Sequence, residues 1–218
     1  MSFARKRDLV MALQPDLLIL QEVSRRDVDD LPASFKHWVG SNPHKGLAIV
    51  AFGDHDYALA ECDTKELPWF IPLRIADLDL QVIAVWACVK TLQLRYVRVI
   101  HAALDRFEPF VRAAPTIMAG DFNSNAIWDK KHGALDHTHL TARLHALGLR
   151  SLYHLQTGEH HGEELTPTWY MYRNRTKGYH LDYAFVPERF LPAASLAIGH
   201  PDTWLPHSDH MPLVLDLT

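Results

Sequence analysis

Carboxylate, carboxamide and imidazole side chains recur in this sequence directly beside short apolar runs. In the central example, the apolar run 116–119 leads through Gly120 to Asp121, Phe122 and Asn123. Alternation along an extended chain directs Asp121 and Asn123 to one side and Phe122 into the packing. An acceptor and a mixed donor and acceptor at the rim of a sheet could meet a metal-bound water and a phosphate. The alternative is that Asp121 and Asn123 cap a turn and the next helix, which is their commoner use.

Three further polar clusters stand at the ends of predicted strands. Glu22 follows the apolar run 17–20, Asp182 stands at the start of a strand, and Asp209 and His210 directly precede another strand. Taken singly, each residue reads as a solvated turn or a cap. Four such placements beside apolar runs in one chain favour a common site at the strand ends.

The elements that must position these residues are apolar strands separated by a few helices. Helices are predicted at 4–13, 91–111 and 140–147, with Pro109 kinking or ending the second. Strands are predicted at 17–20, 46–52, 57–60, 70–75, 80–89, 116–119, 149–154, 168–172, 180–186, 194–198 and 211–217. This order predicts an α/β (α+β) fold, a two-sheet β-sandwich flanked by helices.

Length and composition exclude several classes of protein. At 218 residues with 48% hydrophobic residues, the chain can close one sizeable core, so we expect a single domain over residues 1–218. The net charge of -4 argues against dense, sequence-independent coating of nucleic acid. Neither a signal peptide nor a membrane span is indicated, and Cys62 and Cys88 lack the spacing of a zinc knuckle or a disulfide framework. We expect a cytoplasmic protein that is a monomer.

Five of the 15 histidines form a loose group at His132, His137, His139, His160 and His161. Metal storage is one interpretation of this group. The surrounding segments contain Gly and Glu and lack the i, i+4 pairing of a helical metal motif. We therefore predict that these histidines are ordinary solvated loop residues.

The polar clusters together resemble the motifs of the endonuclease/exonuclease/phosphatase superfamily. The matching segments, in order and rough spacing, are Gln21-Glu22, Gly120-Asp121-Phe122-Asn123, His180-x-Asp182-Tyr183 and Ser208-Asp209-His210. The superfamily includes exonuclease III, abasic-site endonucleases, pancreatic-type deoxyribonuclease, deadenylases, sphingomyelinases and inositol polyphosphate phosphatases. The resemblance covers nearly the whole chain and implies a four-layer α/β/β/α sandwich. It is a strong signal for the superfamily and a weak one for the substrate.

The resemblance also implies a metal and a water-activating group. Glu22 would bind Mg²⁺ or Mn²⁺, with Asp209 as a ligand or a nearby partner. Asp121 would orient and deprotonate the attacking water, and Asn123 would hydrogen-bond that water or a phosphate oxygen. Carboxylate oxygens suit a hard cation that keeps several waters, and such a cation polarises a phosphoryl oxygen.

An imidazole completes the implied site. His210 would sit against the scissile phosphate and be oriented by Asp182. Because an adjacent carboxylate helps an imidazole to keep its proton, His210 paired with Asp182 could donate to the phosphate at neutral pH.

Two departures from the superfamily pattern stand out. The usual first strand, which ends in an Asn-containing motif, is missing before residue 4, as though the start were assigned at an internal Met. Relatives commonly place a His or Tyr near the phosphate where this chain has Trp86. An indole there could stack on a base or sugar, or it could fill the core.

Residues 168–173 resemble the aromatic segment that precedes the His-x-Asp motif in exonuclease III-like members. Trp169 and Tyr170 could stack on a nucleobase, or the segment could be a strand with one aromatic face buried. Arg173 could contribute to a local basic rim or belong to a solvated loop. With Trp86 and His180, these residues make up the predicted substrate contacts.

Three functions remain open. The first is a divalent-metal-dependent phosphoesterase that hydrolyses phosphodiester bonds in nucleic acid. The second is a phosphomonoesterase or phospholipase-like enzyme for a small-molecule or lipid phosphate, favoured by the negative net charge. The third is a catalytically impaired binding or scaffold protein, favoured by the missing strand. In-frame codons upstream that encode this strand would argue against the third.

Overall fold

A computed structural model describes residues 3–60, 67, 69–88, 96–131 and 133–217. The helices are α1 (Arg7–Met11), α2 (Arg25–Asp29), α3 (Val97–Ala113), α4 (His137–Ala146), α5 (Leu152–Thr157) and α6 (Pro201–Trp204). The strands are β1 (Leu17–Val23), β2 (Phe35–Asn42), β3 (Lys45–Ala51), β4 (Tyr57–Leu59), β5 (Phe70–Ile75), β6 (Leu80–Trp86), β7 (Thr116–Asp121), β8 (Leu149–Ser151), β9 (Trp169–Tyr170), β10 (Gly178–Tyr179), β11 (Asp182–Pro187), β12 (Ser195–Ile198) and β13 (Leu213–Asp216).

The larger sheet has six strands in the order β4-β5-β6-β7-β11-β8. Strands β6 and β7 are parallel, and the other neighbouring pairs are antiparallel. The crossover between the parallel strands contains α3, in keeping with the rule that parallel neighbours need a long connection. The neighbouring strands β7 and β11 are buried. Because β7 ends at Asp121 and β11 begins at Asp182, this sheet brings two of the predicted polar clusters together.

A second sheet, in the order β1-β3-β2, packs against the first. Leu47 and Ile49 of β3 share a buried cluster with Leu73 and Val82 of the larger sheet. The alternate residues Ala48 and Val50 face the other way, in a cluster with residues of α1, α2 and α6. This two-residue period is what a strand covered on both faces requires.

The outer face of the larger sheet is covered by α3 and α4. Ile83, Met118 and Phe185 pack there against Leu104 of α3 and Leu140 of α4. The order of layers is therefore helix, sheet, sheet, helix, and the predicted sandwich flanked by helices is confirmed. That the usual first strand is missing stays a prediction.

Several local predictions need correction. Residues 149–154, predicted as one strand, form β8 and then the start of α5. Helix α3 continues through Pro109 to Ala113, although that proline was expected to kink or end it. Residues 91–95, where this helix was predicted to begin, lie outside the described residues, as do Cys62 and His132. Cys88 is a free thiol.

No helix of the described residues has the length and apolarity that crossing a bilayer would require.

Candidate active site

Strand pairing brings two carboxylates side by side at one end of β7 and β11, two neighbouring interior strands of the larger sheet. Asp121 ends β7 and Asp182 begins β11, and the two residues are directly paired across the antiparallel ladder. Both are buried, with 4% of Asp121 and 7% of Asp182 exposed. Directly opposed residues have their Cβ atoms about 4.5–5.5 Å apart, so the two carboxylates share one environment. The burial of two neighbouring acids is costly unless a proton or a cation compensates them.

A tight turn after β7 fixes the orientation of Asp121. The backbone N–H of Asn123 donates to Oδ1 of Asp121 at 2.8 Å, and its side-chain Nδ2 donates to Oδ2 at 2.7 Å. Asn123 has a φ of 46°, a left-handed conformation that Asn tolerates better than most residues. In this structure the side-chain amide of Asn123 therefore hydrogen-bonds Asp121. The prediction was that it would hydrogen-bond the attacking water or a phosphate oxygen.

The pKa of Asp121 is raised to about 8. Burial is the largest cause, and the negative charges of Asp182 and Glu22 add to it. The positive charge of His210 and the N–H of Asn123 oppose the rise. At pH 7 a carboxyl group with this pKa is about nine-tenths protonated, and its ionised form is a stronger base than an ordinary solvated Asp.

His210 lies against Asp182. Its Nδ1 is 3.0 Å from Oδ2 and 3.2 Å from Oδ1 of that carboxylate. Burial alone lowers the pKa of His210, but the charge and hydrogen bond of Asp182, together with the charges of Asp121 and Asp209, raise it to about 9. The ring is therefore an imidazolium at neutral pH. With Nδ1 occupied by Asp182, Nε2 is the nitrogen that can donate to a phosphate.

Glu22 reaches this site from the second sheet. The end of β1 meets the end of β7, where Gln21 Nε2 donates to the Val85 carbonyl at 3.2 Å. A Cβ at Gly120 would lie 2.1 Å from that carbonyl oxygen and 2.8 Å from Gln21 Nε2, so the close approach requires glycine. Glu22 has a φ of 57°, and its carboxylate pairs with Lys45 Nζ at 2.8 Å. The carboxylate is half exposed, which leaves it accessible to an ion.

Asp209 and Lys6 complete the group of charges. Asp209 Oδ2 accepts from the indole Nε1 of Trp169 at 3.2 Å. Lys6 donates to Ser208 Oγ at 3.2 Å. Burial lowers the pKa of Lys6, while the negative charges of Asp209, Asp182 and Glu22 act in the opposite direction. Lys6 is therefore within electrostatic range of Asp209, Asp182 and Glu22.

Lys6 was not predicted as a site residue. The only sequence signal was its place in the basic run Arg5-Lys6-Arg7 near the N-terminal helix. A basic run is usually a solvated face, and nothing local marked the middle residue as buried.

The carboxylates around Lys6 do not form a closed metal cage. Among the described residues, three ligand atoms from His, Cys, Asp or Glu lie within 4.8 Å of one another at one place, which contains His154, His161 and Glu164. Glu22 and Asp209 are not part of such a group. An arrangement with one or two carboxylates and open space suits a cation that keeps most of its waters.

An open groove of about 590 Å³ begins at Asp209. Its remaining lining residues are Trp169, Met171, Tyr172 and Arg173. Tyr172 has a φ of 55° and is 86% exposed, so the short turn after β9 presents its ring to solvent. The groove therefore joins an aromatic surface and a guanidinium to the acidic centre.

Three of the predicted substrate contacts are corrected by the structure. Tyr170 is 6% exposed and packs in the cluster under α1 and α6. Trp86 is 5% exposed, contacts Trp69 edge to face with ring centroids 4.9 Å apart, and fills the core. His180 is 3% exposed and lies against Tyr153. Their burial leaves none of the three open to a substrate, whereas Trp169 and Arg173 do line the groove.

The prediction for the loose group of histidines is wrong in part. His139 is largely exposed, and His160 is exposed. His137 is buried, and the side chain of His161 is only 16% exposed. These two rings lie together, with His137 Nε2 3.0 Å from His161 Nδ1.

Comparison with known proteins places the fold. The sequence profile of the Endonuclease/Exonuclease/phosphatase family matches residues 7–210. Comparison with curated protein sequences gives no match.

Similar solved structures include two of NExo. The 3′ phosphatase NExo from Neisseria, bound to a product DNA hairpin, is 20% identical, with a TM-score of 0.71 over 100% of this chain and 96% of that chain. The 3′-5′ exonuclease NExo from Neisseria meningitidis is 21% identical, with a TM-score of 0.71 over 99% of this chain and 96% of that chain.

A third similar structure is the endonuclease domain of TRAS1, a telomere-specific non-LTR retrotransposon. It is 17% identical, with a TM-score of 0.66 over 99% of this chain and 91% of that chain. At these identities the structural likeness shows the fold alone. The profile match spans most of the sequence, and the chain therefore belongs to the endonuclease/exonuclease/phosphatase family.

Proposed function

We propose that this protein is a divalent-metal-dependent phosphoesterase that hydrolyses phosphodiester bonds in nucleic acid. The observation that carries the proposal is the pairing of an imidazolium, His210, with Asp182 beside the buried acid Asp121. Hydrolysis of a phosphodiester needs a proton acceptor for water and positive charge for the phosphate, and this arrangement offers both.

The acceptor is Asp121. Its two oxygens are held by Asn123, so the carboxyl group has one orientation. Its ionised form is the proton acceptor, and the raised pKa makes that form a stronger base than a solvated aspartate. The donor is His210, whose Nε2 would contact a phosphate oxygen while Asp182 holds Nδ1. Donors fixed before the reaction stabilise developing charge without having to reorganise.

The acidic centre fits a hard divalent cation. Glu22 and Asp209 supply oxygen donors, and the charges of both act on Lys6. These two residues would hold Mg²⁺ or Mn²⁺. Such a cation, when bound, polarises a phosphoryl oxygen and stabilises the developing negative charge.

The groove supports nucleic acid as the substrate. Trp169 and Tyr172 offer aromatic faces on which bases can stack, and Arg173 offers a cation to the phosphate backbone. One similar structure holds a DNA hairpin, and another is a retrotransposon endonuclease domain. Both likenesses agree with a phosphoester of nucleic acid as the substrate.

A side-by-side assay tests the proposal. Plasmid DNA, single-stranded RNA, a DNA end with a 3′ phosphate, inositol phosphates and sphingomyelin would each be incubated with Mg²⁺ or Mn²⁺. We expect turnover of a nucleic-acid substrate that depends on the metal. Turnover confined to the inositol phosphates or sphingomyelin would instead establish the small-molecule or lipid alternative.

Variants connect the activity to the site. We expect Asp121→Asn, His210→Ala and Glu22→Gln each to lower kcat by at least about 100-fold. His139→Ala removes a largely exposed histidine that pairs with Asp136 and lies outside the proposed site, so it should keep full activity. Full turnover in all three site variants, with folding confirmed by circular dichroism, would contradict the proposed roles.

A further inference from the structure

A second cluster of metal-ligating side chains shares no residue with the acidic centre and lies next to β8, the edge strand of the larger sheet. It contains His154 of α5 together with His161 and Glu164 of the loop that follows α5. One ligand atom from each of these residues lies within 4.8 Å of the other two. The side chains are 9%, 16% and 3% exposed, in the same order. A histidine and carboxylate cluster this deeply covered is not a solvated loop.

The distances within the cluster approach those around a bound ion. His154 Nε2 lies 3.1 Å from Glu164 Oε1, and His161 Nδ1 lies 3.9 Å from the same oxygen. Ligand atoms bound tetrahedrally at about 2.0–2.1 Å are about 3.3 Å apart, so the His154–Glu164 pair already has nearly this spacing and His161 would have to approach Glu164 by about 0.6 Å. His137 Nε2 lies 3.0 Å from His161 Nδ1, so the ring of His137 packs beside the ligands without belonging to the group.

The surrounding hydrogen bonds orient the ligands as in known metal sites. Nδ1 of His154 lies 2.6 Å from Ser151 Oγ, which leaves Nε2 directed at Glu164. Oε2 of Glu164 accepts from Asn125 Nδ2 and from the backbone N–H of Gly162, both at 3.0 Å. This leaves Oε1 for an ion. Partners that hold the second atom of each ligand raise metal affinity and fix the geometry.

The ionisation states agree with metal binding. Burial, with the nearby charges of His154 and His137, lowers the pKa of His161 to about 2. Burial opposes the ionisation of Glu164, but hydrogen bonds from His154, Asn125 and the backbone lower its pKa to about 2. Neutral imidazole and ionised carboxylate are the forms that bind a metal. Among the described residues, the ion pairs of Glu164 are with histidines, so no Lys or Arg neutralises its buried charge.

We propose that His154, His161 and Glu164 form a binding site for a divalent transition metal, with Zn²⁺ as the expected ion. Two imidazoles and one carboxylate favour such a metal over Mg²⁺, which prefers an all-oxygen set. The site is distinct from the acidic centre around Asp121.

The metal would tie the loop 158–168 to the rest of the protein. This loop leads directly into Trp169, which lines the groove, and its Glu164 is bonded to Asn125 in the segment after β7. The buried Nε2 of His180 has no hydrogen-bond partner among the described residues, and its ring belongs to the same group, with its centroid 5.9 Å from that of His154. We infer a structural role, in which the ion orders the segment that presents the groove.

The test is a Zn²⁺ titration of the chelator-treated full-length protein in excess Mg²⁺, read by competition with a chromophoric chelator. We expect one Zn²⁺ per chain. Glu164→Gln and His161→Ala should each weaken binding by at least about tenfold. His160→Ala, which removes the exposed histidine next to His161, should bind as the wild type does.

Two further measurements keep the test independent of folding and of the catalytic metal. Co²⁺ bound to the wild type should give the intense visible absorption of a tetrahedral site, and that result needs no variant. Zn²⁺ binding should persist in Glu22→Gln. Failure of the wild type to bind Zn²⁺ in excess Mg²⁺, undiminished binding by the ligand variants, or loss of binding in Glu22→Gln would overturn the proposal.

Discussion

The substitution Asp182→Asn tests the electrostatic basis of the site without an activity assay. Asp182 accepts from His210 Nδ1 at 3.0 Å, and its charge is the largest of the influences that raise the pKa of His210 to about 9. Asparagine has a similar shape but no charge. We therefore expect the pKa of His210 to fall by two pH units or so, toward the ordinary value of about 6.5.

The change in protonation is large at the pH of an ordinary assay. At pH 7.5, His210 with a pKa of about 9 is about 97% protonated, whereas a pKa of about 6.5 leaves about 9%. The substitution thus removes about nine-tenths of the imidazolium while leaving the ring in place. If the imidazolium is the active form, kcat at this pH should fall by about tenfold or more.

The measurement is an NMR titration of the imidazole nitrogens of His210 without added divalent metal, with the resonance assigned by its loss in His210→Gln. Asp77→Asn is the matched control, because Asp77 Oδ2 lies 2.7 Å from a ring nitrogen of His55 on the surface. That control should leave the titration of His210 unchanged. A pKa near 9 for His210 in Asp182→Asn would refute the assigned source of its proton affinity.

The pair formed by His210 and Asp182 also predicts how the stability of the protein depends on pH. Because the pKa of His210 is raised on folding, its contribution to the free energy of unfolding is complete below about pH 6.5 and is lost as the pH rises through about 9. The difference in pKa corresponds to about 3 kcal/mol at most. Since a third of the His210 side chain is exposed, we expect about 1–2 kcal/mol after solvent screening. Urea titrations of the wild type and Asp182→Asn at pH 6 and pH 9.5 measure this contribution to the free energy of unfolding. If the stability of both proteins changed equally with pH, the prediction would be contradicted.

Three further changes test the fold and the groove. Gly120→Ala should lower the free energy of unfolding by about 3 kcal/mol or more in urea titration, because its φ is 137° and the added Cβ would meet the Val85 carbonyl. Ser24→Ala should lower it by about 1 kcal/mol in the same assay, since Ser24 caps α2 by accepting from the N–H of Asp27 at 3.1 Å. Tyr172→Ala should leave stability unchanged and weaken single-stranded DNA binding, measured by fluorescence anisotropy, by about fivefold or more, because its exposed ring is a stacking surface in the groove.

Matched variants separate the causes of these effects. Gly148→Ala places a Cβ in open space at a φ of 77°, so it should cost only the backbone strain of about 1–2 kcal/mol. A cost for Gly120→Ala no larger than this would remove the clash with Val85 from the explanation. Leu165→Ala changes an exposed apolar residue outside the groove and should not affect DNA binding. Equal losses in Leu165→Ala and Tyr172→Ala would show that the groove has no special role.

The sequence by itself determined the strand ends of the acidic centre. Short apolar runs predicted β1, β7 and β11, and therefore placed Glu22, Asp121 and Asp182 where those strands begin or end. This works because alternation is a local property, so a strand and the side to which its last residue points can be read without knowing its partners. The order of the motifs then indicated the family, which the profile match over residues 7–210 shows.

Only the tertiary structure decided which polar and aromatic residues are buried. Tyr170 alternates with Trp169 along one strand, yet the first enters the core and the second lines the groove, because the neighbouring layers cover one face of β9. The pKa values of Asp121 and His210 likewise depend on charges from several strands. A local sequence pattern does not show which charges from other strands will act on a given residue.

The buried histidine cluster shows the same limit most clearly. His154, His161 and Glu164 come from a short helix and from an irregular loop, with no periodicity that would mark them as neighbours. Residues 149–154 even read as a strand, which would have placed His154 differently. The sequence determines side-chain chemistry and local backbone preference, whereas the meeting of groups from separate elements is set by how the layers pack.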